Sequence, residues 1–462
     1  MGLKGGANGA KAQFKERFGA AFRDFESLAK AREAVGVSRS QTLAIVDGNV
    51  MLMQVPSKVD TFEGYVGVVM GQIAAAVRAA KHVVVVFDEP NALTAAKREE
   101  QSKRDSRRVG TTPVCSDDLV ACPKTDAYGR EELSSPALNV RLLMNHRGAR
   151  PRFYDAVCVE ALERLKANLS DGEAGWTVTF DGVDPRGADR PRENAPRAPG
   201  VLSSDPQVWN RVLERADPIG EGDLKLTDVC KRVQLAADAD PEGALGEVVL
   251  NLLQTIDTDS LLIELMAQAR RAARASSSDR DQLTLLCLRE AARKRKDDIP
   301  EPAYFQCIDM ELMYEQVMGY LFGTARVDRV SSTEKKLAAA LFTASVALCG
   351  CDFVEVKGLS AHLMIPEVKH AIRQNPELLG QMAGVFSGHA GQTRSAASAI
   401  KSVVDSYIAA LTGAPRMRQA VNKASAMDDL QVLRACWIVA YWLGYEFREV
   451  YQWGFAHAAS SE

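Results

Sequence analysis

The residues best suited to chemistry are acidic, and they recur in short apolar settings. Asp47 follows the run 42–46 and Asp88 follows the run 82–87. Two close pairs come next: Glu221 and Asp223 in Gly220-Glu221-Gly222-Asp223, then Asp257 and Asp259 in Ile256-Asp257-Thr258-Asp259. Asp352 is last, inside Cys351-Asp352-Phe353. An ionised carboxylate within a core is costly unless it is paired or metal-bound, so the set asks for a cation. Mg²⁺ takes hard oxygen ligands and keeps several waters, and two such ions about 3.5–4 Å apart activate a water and stabilise the leaving oxygen of a phosphodiester. Any single member also reads as a turn residue or helix cap; the order of all seven is what points to a site. The sequence has no G-x-x-x-x-G-K-[ST], H-E-x-x-H or G-x-S-x-G, and its six histidines are spread singly.

Bringing these carboxylates to one place requires parallel strands. The runs 42–46 and 82–87 are short and rich in Val, Ile or Leu, and the Ala-rich stretch 62–80 between them has helical periodicity, so a strand-helix-strand unit is expected. Strand C-termini are where open α/β sheets place their sites. Further helices are expected over 153–167, 224–235, 261–275 and 334–349, and strands over 176–183 and 248–256. The expected fold class is α/β, a mostly parallel twisted central sheet flanked by helices, with a helical C-terminal portion. The expected organisation is an α/β core over 1–359, carrying an irregular insert at 184–218 rich in Pro, Arg, Gly and Asp, followed by a helical portion over 360–462.

Composition limits the partners. With 462 residues and 46% apolar content the chain has enough material for a large core. The balance of 57 basic against 60 acidic residues, net charge −3, excludes a passive nucleic-acid coat, so nucleic acid must meet a local basic patch. Nine cysteines without C-x-x-C spacing, and no secretory leader, point to reduced thiols in an intracellular setting, nuclear or cytoplasmic. The apolar stretch 337–350 is broken by Thr343 and Ser345 and is too short for a bilayer, so it reads as a buried helix and no membrane partner is expected. The segment 93–108, with Lys97, Arg98, Lys103, Arg104, Arg107 and Arg108 among Glu99, Glu100 and Asp105, reads by itself as a solvated helix.

Taken in order, these residues resemble the flap-endonuclease and Xrn-type 5′-nuclease superfamily from Met1 to about Gly358. Met1-Gly2-Leu3-Lys4-Gly5 is similar to the flap-endonuclease N-terminus, Ile45-Val46-Asp47-Gly48 to its first metal-ligand strand, and Val86-Phe87-Asp88 to its second. The step from Lys97 to Arg104 matches the Lys and Arg of the family's gateway helix, two helical turns apart on one side. Gly220-Glu221-Gly222-Asp223-Leu224-Lys225 resembles the G-E-G-E-H-K element of Xrn-type exoribonucleases, whereas Cys349-Gly350-Cys351-Asp352-Phe353 and Lys357-Gly358 resemble the flap-endonuclease G-C-D-Y segment. Such a mosaic is similar to the versions encoded by large DNA viruses. Three departures stand out: Lys97 lies two residues further from Asp88 than the pattern has it, Asp223 replaces a Glu, and Leu359-Ser360-Ala361 does not keep the helix-two-turn-helix glycines. Glu242 and Glu247 form a competing acidic pair, but the glycines around Glu221 and Asp223 match the family better.

The resemblance implies a PIN-like fold and a divalent-metal-dependent, structure-specific 5′-nuclease, endonuclease or 5′–3′ exonuclease, that hydrolyses phosphodiesters in DNA during replication or repair. It implies two Mg²⁺ ions, replaceable by Mn²⁺, on Asp47, Asp88, Glu221, Asp223, Asp257, Asp259 and Asp352. Lys97 and Arg104 then act as catalytic cations at the scissile phosphate, and Gly2, Lys4, Arg98, Lys103, Arg107 and Arg108 meet the nucleic acid. An Xrn-like 5′–3′ exoribonuclease, and a non-catalytic scaffold or virion component that keeps the fold, stand as alternatives.

Overall fold

The computed structural model describes residues 9–56, 59, 61–89, 149–169, 175–185, 198–215, 219–274, 282–290, 304–351, 354, 356–386, 390–412 and 418–442. α1 (Ala10–Arg17), β1 (Phe22–Phe25) and α2 (Leu28–Ala34) lead into β2 (Thr42–Asp47), all six of whose residues are buried. A strand covered on both faces in this way belongs in the interior of a parallel sheet. Past the short α3 (Gly48–Met53), α4 (Phe62–Ala79) starts where the Thr61 side chain accepts the Gly64 amide, and it buries Phe62, Tyr65, Val66, Val69 and Ile73. It crosses to the buried β3 (His82–Val86), which runs parallel to β2 in a register from Leu43 opposite His82 to Asp47 opposite Val86.

α5 (Ala149–Leu169) and β4 (Thr177–Val183) extend the parallel run beyond β3, and β5 (Gly200–Ser203) closes that side as an antiparallel edge ahead of α6 (Pro206–Leu213). α7 (Gly222–Ala239) then returns the chain to the other side of β2. There β6 (Leu250–Thr255), α8 (Ser260–Arg274) and β7 (Leu283–Glu290) continue in parallel, while β8 (Tyr304–Asp309) and β1 finish the sheet antiparallel. The order is β1-β8-β7-β6-β2-β3-β4-β5. The five central strands therefore share one C-terminal edge, and the winding reverses between β2 and β6, which is where open α/β sheets form their binding crevice.

Alternate side chains of each strand enter opposite cores. On one face Leu43, Ile45, Val84, Val86 and Leu253 join a core that includes α7, α8 and the later helices α9 (Met310–Phe322), α10 (Ser332–Leu348), α11 (Ala361–Gln374), α12 (Ala390–Thr412) and α13 (Asp429–Trp442). On the other face Ala44, Val46, Val83, Val85 and Leu252 pack with α2, α4 and α5. The chain is thus a mixed α/β molecule whose one eight-stranded, mostly parallel sheet is flanked by helices. α10 opens with a reciprocal Ser331–Glu334 capping box and is buried from Leu337 to Leu348, so the apolar stretch expected as a core helix is one. Among the described residues no helix is long and apolar enough to cross a membrane.

One expectation is corrected. The reading of 184–218 as an irregular insert fails over 200–213, which forms β5 and α6. Trp209 is fully buried, its indole N–H donates to Thr177 Oγ1 at 3.0 Å, and its ring meets His82 edge-on at 6.0 Å. The Pro- and Asp-rich composition concealed a helix start: Asp205 caps, Pro206 occupies the first turn where its missing N–H costs nothing, and Trp209, Val212 and Leu213 form one apolar face. Residues 186–197 and 216–218 lie outside the described residues.

Candidate metal centre

Asp47 ends β2 and caps α3, its Oδ1 accepting the amides of Asn49 at 3.0 Å and Val50 at 3.2 Å. Thr255, the last residue of β6, donates its hydroxyl to Asp47 Oδ2 at 3.4 Å across the winding reversal. Burial, then the Asp88 carboxylate, and further the carboxylate of Asp257, push the Asp47 carboxyl up from 3.8 to about 7, against the two amides that favour its charged form.

Asp88 lies just past β3, and its Oδ1 accepts the Gly222 amide at 2.7 Å. That contact brings the start of α7 over both aspartates. A Cβ on Gly222 would lie 3.3 Å from Asp88 Oδ1 and 3.7 Å from Asp47 Oδ1, so a bare backbone at this position lets the Glu221–Asp223 element approach so closely. Glu221 is buried, and Asp223 accepts the Ser260 hydroxyl at 2.9 Å, which links α7 to the start of α8. Beyond β6, the Asp257 amide donates to Thr255 Oγ1 at 3.0 Å, and Asp257 Oδ1 accepts the amide of the buried Asp259 at 3.1 Å.

Asp47, Asp88, Asp223, Asp257 and Asp259 are thus linked at the ends of β2, β3 and β6 and the starts of α7 and α8, with Glu221 buried next to Gly222 in the chain. The competing pair is not among them. Glu242 and Glu247 are exposed and follow the far end of α7, whose 18 residues at about 1.5 Å each separate them from Gly222 by roughly 27 Å. Asp352, Lys97, Arg104, Gly2, Lys4, Arg98, Lys103, Arg107 and Arg108 lie outside the described residues.

Among the described residues, no three acidic, histidine or cysteine groups already surround a common point. Mg²⁺ does not need such a cage, since it is ordinarily held by one or two carboxylates with waters completing its shell. The oxygens present are of the right kind, and after burial the carboxylates of Asp88 and Asp257 contribute to the upward shift of Asp47, the direction a nearby cation would reverse. The chemistry of these oxygens suits such an ion, with water completing its shell.

A buried ionic network beside the carboxylates has no counterpart among the expected site residues. Lys225, in the first turn of α7, is fully buried with its ammonium on Glu89 and 3.5 Å from Asp181 Oδ1. Asp181 also pairs with Arg215 at 2.8 Å, Arg215 with Asp228 at 2.7 Å, and Asp228 with Arg232 at 2.7 Å. The Glu89 amide donates to Gly220 O at 2.8 Å, so the network secures the turn that places Gly222 on Asp88. Gly182, at a φ of 93°, sits in the β4–β5 bulge where a Cβ would come within 2.8 Å of Lys225 Nζ and of Phe87 O. The signal available in the sequence was Asp181 itself, a charge in the middle of an apolar strand that must find a partner.

No protein-family model matches the chain, and a search of curated proteins finds no match.

Proposed function

We propose that the chain is a divalent-metal-dependent 5′-nuclease with the PIN-like fold of the flap-endonuclease superfamily, hydrolysing phosphodiesters in DNA near a 5′ end. The observation that supports this most is the seating of the Glu221–Asp223 element, through Gly222, on Asp47 and Asp88 at the winding reversal of the sheet. A helix cap needs one carboxylate; here Asp47 senses the charge of both Asp88 and Asp257, and Asp88 holds the Gly222 amide. Mg²⁺ or Mn²⁺, when bound, supplies an activated water and counter-charge for the leaving oxygen. Asp47, Glu221 and Asp259 are buried and would fix the ligand frame, while Asp88, Asp223 and Asp257 are half-buried and accessible to an ion and its waters. Asp352 is assigned to the same set by its place in the sequence.

Lys97 and Arg104 are assigned to the scissile phosphate, where a cation contributes most as charge develops in the transition state. Gly2, Lys4, Arg98, Lys103, Arg107 and Arg108 are assigned to the nucleic-acid backbone, which makes binding sequence-independent and salt-sensitive. Hydrolysis breaks one phosphorus–oxygen bond and leaves a 5′-phosphate and a 3′-hydroxyl. The Gly220–Lys225 element favours a second reading, a 5′–3′ exoribonuclease of Xrn type. Purified protein with Mg²⁺ or Mn²⁺ on labelled 5′-flap DNA, nicked duplex DNA and 5′-phosphorylated single-stranded RNA separates the two. Cleavage of the DNA substrates supports the first, preference for the RNA the second, and no cleavage of any leaves the scaffold reading.

A further inference from the structure

Nine scattered cysteines without C-x-x-C spacing read as isolated thiols, but the strand pairing brings two of them together. Cys287 on β7 and Cys307 on β8 are direct partners in the antiparallel register. Directly opposed residues in such a ladder have Cα atoms about 4.5–5.5 Å apart, inside the range of about 4.4–6.8 Å that a disulfide bridges. Both side chains point into the core shared with α2, α4 and α5, and their sulfurs are 2.9 Å apart, in direct contact. We propose that Cys287 and Cys307 are a covalent cross-link site, oxidised to a cross-strand disulfide by a low-molecular-weight disulfide such as oxidised glutathione.

The electron balance is that of two thiol–disulfide exchanges. One cysteine thiolate attacks the small disulfide, forming a mixed disulfide and expelling one thiolate. The second cysteine thiolate then attacks the protein sulfur of that mixed disulfide and expels the other. The two protein thiols lose two electrons, the small disulfide is reduced to two thiols, and the two protein S–H protons end on the expelled thiolates. Once folded, the pair is 0% and 2% exposed. Burial, then the contact with Cys307, hold the Cys287 thiol well above its ordinary range, so the exchange belongs to folding, while both sulfurs still meet the oxidant. The link fastens β7 to β8, where the sheet changes from parallel to antiparallel, and it restricts the unfolded chain, so the linked form should be the more stable.

The test is to refold the full chain with oxidised and reduced glutathione, block remaining thiols with N-ethylmaleimide in denaturant, digest it and weigh the peptides. The expected result is a Cys287–Cys307 linked peptide as the major form, two fewer blocked thiols than in a control refolded with reductant, and an unfolding midpoint higher by a few degrees. In Cys287→Ser the linked peptide should vanish and Cys307 should be blocked. All nine cysteines blocked in the folded, oxidised protein, or either sulfur linked elsewhere, would overturn the proposal.

Discussion

Asp47 carries the charge balance of the crevice. Its carboxyl, shifted from 3.8 to about 7 by burial and then by Asp88 and Asp257, takes up a proton in the folded apoprotein that the unfolded chain releases. The stability tied to that proton is fully present below 3.8 and is lost as pH rises through about 7. A divalent ion competes with the proton for the same oxygens. In EDTA the unfolding midpoint should therefore fall by several degrees between weakly acidic and weakly alkaline pH, and Mg²⁺ should restore it mainly at the alkaline end. Asp47→Asn should flatten the slope in EDTA and abolish the Mg²⁺ gain; a wild-type midpoint indifferent to Mg²⁺ at both ends would count against an ion at Asp47. Asp259→Asn keeps the size of a buried side chain while removing one negative charge. Its cleavage rate in Mg²⁺ should drop on the order of 10²-fold or more with nucleic-acid binding unchanged or tighter, and a wild-type rate would remove Asp259 from the site. Asp47 and Asp88 were legible in the sequence because each follows an apolar run. Lys225 was not, because its burial depends on Glu89 and Asp181, which reach it from other parts of the chain.

At the scale of elements, the segment 200–213 and the first turn of α7 do the positioning. Trp209→Ala should cost about 3–5 kcal/mol, as emptying an aromatic core site does, read as a lower urea midpoint; no change would return this segment to a surface excursion. Lys225→Met leaves Glu89 and Asp181 without their buried ammonium, which should cost about 3–5 kcal/mol and weaken Mg²⁺ binding by loosening the turn at Gly220. Full Mg²⁺ affinity in a folded Lys225→Met protein would show that the network only stabilises. The interior strands β2 and β3 were legible as short apolar runs, and β4 and β6 from their Val, Phe and Leu content despite Asp181, Asn251 and Gln254, whereas the interior β7, Leu283–Glu290, was not expected. β1 and β8 were not, since Phe22–Phe25 and Tyr304–Asp309 mix polar and apolar residues and take their strand form from each other and from β7. Composition misled at α6, where Asp205 and Pro206 read as loop punctuation but serve as a helix start.

At the scale of the molecule, the reversal of winding beside β2 brings six of the seven dispersed acids to neighbouring strand ends and helix starts, Asp352 lying outside the described residues. The helices of the C-terminal portion share a core with the sheet, so they brace the face of the sheet on which α7 and α8 pack. On the proposed reading, the acids of the crevice would repel a phosphodiester unless a cation stood between them. The central claim is therefore that the crevice holds divalent ions, and Mn²⁺ binding to the metal-free chain, followed by calorimetry and by the loss of the free-ion paramagnetic signal, tests it most directly. Wild type should bind about two Mn²⁺ saturably, with Mg²⁺ displacing them, and Asp47→Asn combined with Asp88→Asn should fold yet lose that binding. Folded wild type with no saturable Mn²⁺ binding, or a double variant that binds as wild type does, would contradict it.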